Sequence, residues 1–318
     1  MLTALGRRAR PAMANAPWGS GLGLARTLIA LGTLGTLLAT SPRTLLAPLA
    51  DGTLPPTCSD LTKFGLWCVL PGGHGETARW LSIAVLVVVA AGWRPRYTGI
   101  AHWYVAWSLM ANVSILDGGD QVTTVLTLLL VPITLTDPRR WHWQAMPQRA
   151  PGLSRVVAYT ALIVVQIQIA AIYLHASVAK LAVREWADGT AMFYWLRHPT
   201  FGASGLARPI AEFLTDSPVG VAMMTWSSIA LEFALAVALL LRPPLRRWLL
   251  LAGLVFHGLI ALSMGLISFS TAMSGALLLY LLPIGHQLVM PAWALAIWAP
   301  VKQRLAPATS KVSYVDGI

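Results

Sequence analysis

Charged side chains are scarce in this sequence. Asp, Glu, Lys and Arg make up 11% of its 318 residues, where a soluble domain carries about a quarter. That scarcity excludes an ordinary soluble fold, and 56% hydrophobic residues with a mean hydropathy of +0.65 place the chain in a lipid bilayer. Lysine is nearly missing, with Lys63, Lys180, Lys302 and Lys311 the full set. Cysteine is limited to Cys58 and Cys68. The chain also lacks a glycine-rich nucleotide loop, a metal-ligand cluster, a Ser-His-Asp arrangement and a peptidase motif, so no soluble-enzyme class is available on motif grounds. It has no internal repeat and no low-complexity tract, which excludes solenoid and array architectures.

What remains is a series of apolar runs. A helix rises 1.5 Å per residue and the hydrocarbon layer is about 30 Å thick, so about 20 uncharged residues are needed to cross it. Runs near that length lie at Gly21–Ala39, Trp80–Trp93, Gly99–Leu116, Gln121–Thr136, Val156–Ala179, Val219–Leu241, Trp248–Ile267 and Phe269–Gln287. The expected fold is therefore all-α, a polytopic transmembrane helical bundle of about eight spans. The expected domains are a cytoplasmic basic segment at 1–20, a transmembrane domain at 21–290, and an interfacial and disordered cytoplasmic tail at 291–318 that opens with Trp293 and Trp298.

The net charge of +11 gives the orientation. The arginines cluster between apolar runs, which is the pattern of cytoplasmic loops and not of a nucleic-acid-binding face. With both termini in the cytoplasm, 16 of the 23 basic residues, Arg26 among them, fall on the inner side. Lys180 and Arg184 then lie outside. The stretch after the first run, Ala39-Thr40-Ser41-Pro42, is a poor cleavage site, so that run reads as an uncleaved span.

This topology puts Cys58 and Cys68 in one extracytoplasmic loop, where disulfides persist. A bridge closing about ten residues would stabilise the loop by roughly 2–3 kcal/mol. The spacing is too wide for a C-x-x-C redox pair, which favours a structural staple.

Ionisable groups inside the runs each require a partner or water. Counted from the adjacent arginines, Glu232 and His257 share a depth of about 15 Å from the cytoplasmic edge. As an intramembrane polar pair they would serve as a proton relay or as a structural hydrogen bond between helices. The fifth run is the richest. Gln166, Tyr173 and Lys180 recur every seven residues, with Ser177 three before the lysine, so they form one polar stripe that should face protein or water. Lys180 sits about 37 Å from Arg155, at or just inside the outer boundary. There it is either a snorkelling anchor or, if desolvated, a neutral amine able to act as a general base. His175 projects about 140° away from it. Asp188, in the turn after the lysine, and the outer-face loop carrying Asp117 and Asp120 read as interfacial turns.

The stretches "IYLHASVAK" and "EWADGTAMFYW", with "ILDGGDQV", "HPTFG" and "SMGLISFSTAMSGALLLYL", resemble the HTTM superfamily, the membrane domains related to vitamin K-dependent gamma-carboxylase. Within it, they resemble the sporulation-delaying protein B (SdpB) branch. In the carboxylases the lysine of this pattern is the base that deprotonates a reduced quinone. The resemblance thus implies Lys180 as the candidate base, with Tyr173, His175 and Asp188 around it, and raises a reduced quinone as cofactor. Vitamin K chemistry itself is not carried over, because Ala179 stands where those enzymes commonly have a second lysine and no large soluble domain follows the helices. The SdpB branch implies maturation of an exported antimicrobial or toxin peptide, with the peptide precursor and a small partner protein encoded nearby (SdpA-like) as partners. The alternatives are a toxin exporter or immunity protein without catalysis, and a quinone-dependent membrane oxidoreductase.

Overall fold

A computed structural model describes residues 16–70, 75–144 and 152–288. Residues up to His286 form one compact unit, and a second unit begins at Gln287. The basic segment before residue 16 and the tail at 291–318 lie outside the described residues.

Among the described residues there is no strand, and eight long helices carry the architecture. They are α1 (Ser20–Ala39), α2 (Gly75–Ala91), α3 (Pro95–Asn112), α4 (Gly118–Leu135), α5 (Gly152–Leu181), α6 (Pro218–Ala236), α7 (Pro243–Met264) and α8 (Ile267–Leu281). Each coincides with one apolar run. Five of them, α1, α4, α5, α6 and α7, are long and apolar enough to cross a membrane. Two ends differ from the sequence expectation. Helix α8 stops before Pro283, because the residue preceding a proline is pushed out of the α region, and Leu282 is extended with ψ 143. Helix α5 runs from Gly152 to Leu181 without an internal glycine or proline, giving 30 residues, longer than the run at 156–179.

Two apolar cores hold the helices. One joins α1, α4, α5 and α8 through residues such as Ile29, Leu126, Ile133, Val165, Ile169 and Leu277. The other joins α1, α2 and α3 through Leu37, Leu86, Val89, Val105 and Leu109. Small residues permit the closest approach, as in membrane bundles generally. A Cβ on Gly275 of α8 would lie 2.7 Å from Ile29 Cγ1 and 2.8 Å from the Ala25 carbonyl oxygen.

The end of the bundle where α1 begins is tied by buried polar groups. Arg26, assigned to the loop charges by counting, sits inside α1 and is 2% exposed. It donates to Thr98 Oγ1 at 3.4 Å and approaches His142 Nδ1 at 3.5 Å. A charge count sees composition and not burial, hence the difference. The His142 ring rests against Gly92, where φ is +88 and a Cβ would come within 2.3 Å of the ring. Glycine is required there for conformation and for space. Burial and the charges of Arg26 and Arg139 push the His142 imidazole down to about 2. Its folded value lies below the ordinary 6.5, so the stability tied to its neutral form is complete above about 6.5 and declines as pH falls below that value. We expect a loss of ~2 kcal/mol by pH 5. Thermal melts in detergent between pH 8 and pH 5 should show this slope, and His142→Gln should lessen it.

At the opposite end, Cys58 and Cys68 form a disulfide with Cα atoms 5.6 Å apart. The double variant Cys58→Ser/Cys68→Ser should lose about 2–3 kcal/mol of stability, read as an earlier melt and faster proteolysis between residues 40 and 70.

Candidate functional site

Helix α5 places the polar stripe toward the bundle. Gln166 donates to the Tyr280 carbonyl at 3.2 Å. The Tyr173 hydroxyl lies 3.0 Å from His257 Nε2, and Ser177 is buried. At the stripe's end, Lys180 Nζ donates to both oxygens of Glu232, at 2.7 Å to Oε1 and 2.6 Å to Oε2. Both partners are largely covered, the lysine side chain at 21% exposure and the glutamate at 9%.

The lysine is therefore not solitary, and Glu232 and His257 are not each other's hydrogen-bond partners. Glu232 holds Lys180 while His257 holds Tyr173, and the four make one cluster. The depth count separated them because it took each span as upright from its nearest arginine. In fact α5 is 30 residues long, and Glu232 stands 14 positions after Pro218, about 21 Å along α6. Lys180 accordingly meets α6 well along its length, away from its N-terminal end.

Each neighbour follows from local sequence. On α6, Val221, Thr225, Ser228, Ile229, Glu232 and Leu235 are the buried residues, a helical face that carries the carboxylate inward. Helix α7 buries only Gly253 and His257, and the imidazole is edge-packed on Phe256 and Phe269, with ring centroids at 5.2 and 5.6 Å. Trp186, in the short helix Arg184–Ala187, lies over Lys180 Nζ at 5.2 Å from the ring centroid. This cation–π contact was not foreseen, although Trp186 stands six residues after Lys180 in the sequence.

The remaining sequence candidates fall in different places. His175 is exposed but lines the same cavity as Lys180. Asp188 does not line it. It is exposed, and it accepts from the Thr190 amide and hydroxyl at 3.1 and 2.6 Å, shaping the turn that follows Trp186. Asp117 and Asp120 form a reciprocal capping box at the start of α4, and Asp117 also accepts from Ser268 Oγ at 3.2 Å, tying α4 to α8. His198 of "HPTFG" accepts two backbone amides, from Thr200 and Phe201, at 3.1 Å each, so that motif is a structured turn.

The cluster forms one wall of a cavity of about 560 Å³. Its other walls come from α4, through Gly118, Gln121, Val122 and Val125, and from Gln168, Ala171 and Ile172 on α5. Among the described residues there is no group of His, Cys, Asp or Glu able to hold a metal ion. The arrangement supports proton transfer. In a confined site, moving one proton from the ammonium to the carboxylate leaves two neutral groups, so a free amine can arise without separating charge.

Comparison with known proteins gives the family. Residues 85–283 match the HTTM domain. The chain is 39% identical over 273 residues to the uncharacterized protein YitO of Bacillus subtilis (strain 168), covering 84% of this chain and 87% of that one. It is 32% identical over 277 residues to sporulation-delaying protein SdpB of the same organism, covering 86% and 84%. No solved structure matches. A multi-pass helical protein with these bacterial relatives fits a bacterial cytoplasmic membrane, and the chain belongs to the HTTM family, in the branch that includes SdpB.

Proposed function

We propose that this protein matures an exported antimicrobial or toxin peptide, acting on the extracytoplasmic face with Lys180 and Glu232 as a proton-transferring pair. The observation that carries the reading is the Lys180–Glu232 contact at 2.6 Å on the wall of a cavity large enough for a peptide side chain and its backbone. In the working step, Glu232 takes the ammonium proton. Lys180 Nζ then accepts a proton from the substrate, and the substrate anion faces the re-formed ammonium. Tyr173 and His257 fix the floor of the cavity through their mutual hydrogen bond. The same base would meet a reduced quinone. When bound, that cofactor would supply a hydroxyl proton, with Lys180 and Glu232 as the residues that hold it.

The topology that goes with this reading has eight spans and both ends in the cytoplasm, and it places the Cys58–Cys68 loop outside. The partners are the peptide precursor and a small partner protein of the SdpA kind. Mass spectrometry of medium from cells carrying the precursor and partner genes, with and without this protein, tests the reading. Mature or modified peptide should appear only with it. Protection of a sensitive host by this protein alone, with no change in the peptide, would instead make it an immunity protein.

A further inference from the structure

The cavity is not enclosed on the side away from Glu232. Tyr173, His257 and Glu232 are buried, whereas Gln121, Val125, Ala171 and His175 on the opposite rim are exposed. That rim lies between α4 and α5, both of which are apolar enough to span a membrane. In the eight-span topology this opening would face the bilayer. From Gln168 to Lys180 the groove follows α5 for 12 positions, about 18 Å.

Three polar side chains on this lipid-facing rim have no use in the fold. Gln121, Gln168 and His175 make no side-chain hydrogen bond among the described residues, while Gln166, two positions before Gln168, is engaged with Tyr280. An amide facing hydrocarbon without a partner is unfavourable. Each glutamine offers one acceptor and a donor pair, which matches the C=O and N–H of a peptide unit. A lipid or isoprenoid chain has nothing to pair with them along its length. On α5, positions 168, 171, 172 and 175 share one face, as 118, 121, 122 and 125 do on α4. The two faces thus frame one slot, apolar along its walls and hydrogen-bonding at intervals.

We infer that this slot admits an apolar peptide segment sideways from the bilayer, with a locally unwound stretch of its backbone bonded by Gln121 and Gln168 and led toward Lys180. The inference rests on the maturation reading and specifies its substrate as a membrane-embedded segment with exposed backbone amides. Gln121 and Gln168 are positioning residues. Intact helices satisfy their own amides, so only a segment with a helix break gains from the glutamines.

The test uses the full chain in liposomes, with p-benzoylphenylalanine replacing Val125 on the rim. The probes are two biotinylated Leu/Ala peptides about 20 residues long, one with a central Gly-Pro break and one without. Photocapture of the broken peptide should exceed that of the unbroken one by about tenfold, and the double variant Gln121→Leu/Gln168→Leu should remove most of that preference. Equal capture of both peptides, capture indifferent to the glutamines, or labelling of lipid alone would overturn the inference. So would full displacement of the peptide by a short-chain quinol, which would make the groove a quinone site. The double variant Lys180→Met/Glu232→Leu, which replaces both members of the pair and is expected to stay folded, separates the two claims. If secretion of mature peptide survives that change while capture persists, the chemistry is lost and the groove stands; if secretion fails while capture never occurs, the chemistry stands and the lateral route is lost.

Discussion

Replacing Lys180 by Met and Glu232 by Leu together should leave an inserted, folded protein that yields no mature peptide. The single variants should behave differently from the pair. Lys180→Met removes the ammonium 2.6 Å from a carboxylate that is 9% exposed, and Glu232→Leu strands the ammonium. Breaking a buried ion pair from one side costs about 3–5 kcal/mol, whereas replacing both partners by apolar groups is often neutral. The single changes should therefore lower both the amount of folded protein and the peptide yield, and the double change should restore the first without the second. Glu232→Gln is the sharpest probe of mechanism, since it keeps the shape and a hydrogen bond to Lys180 but removes the proton acceptor. Its yield should fall at least a hundredfold, the low end of what a positioned acid–base group contributes, with insertion unchanged. Yield is read by mass spectrometry of the medium, and folding by melting of the detergent-solubilised protein. Normal peptide from the double variant would remove the pair from the chemistry.

Much of this arrangement was legible in the chain. The eight apolar runs became eight helices because, in hydrocarbon, a segment must satisfy its own backbone and few alternatives exist. The period of seven in Gln166, Tyr173 and Lys180 correctly turned one face of α5 inward. The two cysteines, alone in one loop, are joined. Partner identity was not legible. That Lys180 meets Glu232, 52 positions away, and that Tyr173 meets His257, 84 positions away, is set by how α5, α6 and α7 cross. Residue counting fixes position along each helix but not tilt between helices. The groove glutamines were overlooked for a related reason. An uncharged amide does not interrupt an apolar run, so the sequence alone does not single out Gln168.

Asp137→Asn should be among the most damaging single changes at the end of the bundle where α1 begins, costing about 3–5 kcal/mol. Arg139 is 1% exposed at its side chain and Asp137 3%. The guanidinium donates from Nε to Asp137 Oδ1 at 2.9 Å and from Nη2 to Oδ2 at 2.8 Å. Its Nη1 reaches the His142 and Gln144 carbonyls at 2.7 and 3.1 Å. This fork folds the chain after α4 back on itself, so Arg139→Lys, with a point charge and no planar fork, should not substitute for it. The carboxylate has a second client in Arg26, which it attracts and which Arg139 repels. Removing the Asp137 charge thus leaves two buried cations with nothing between them. The rescue that follows is specific. Arg26→Met, harmful alone because Thr98 and His142 lose a neighbour, should recover part of the stability of Asp137→Asn by deleting one uncompensated charge. A double-mutant cycle on melting temperature measures this as a favourable coupling above about 1 kcal/mol. Strict additivity would show that Arg26 does not depend on Asp137.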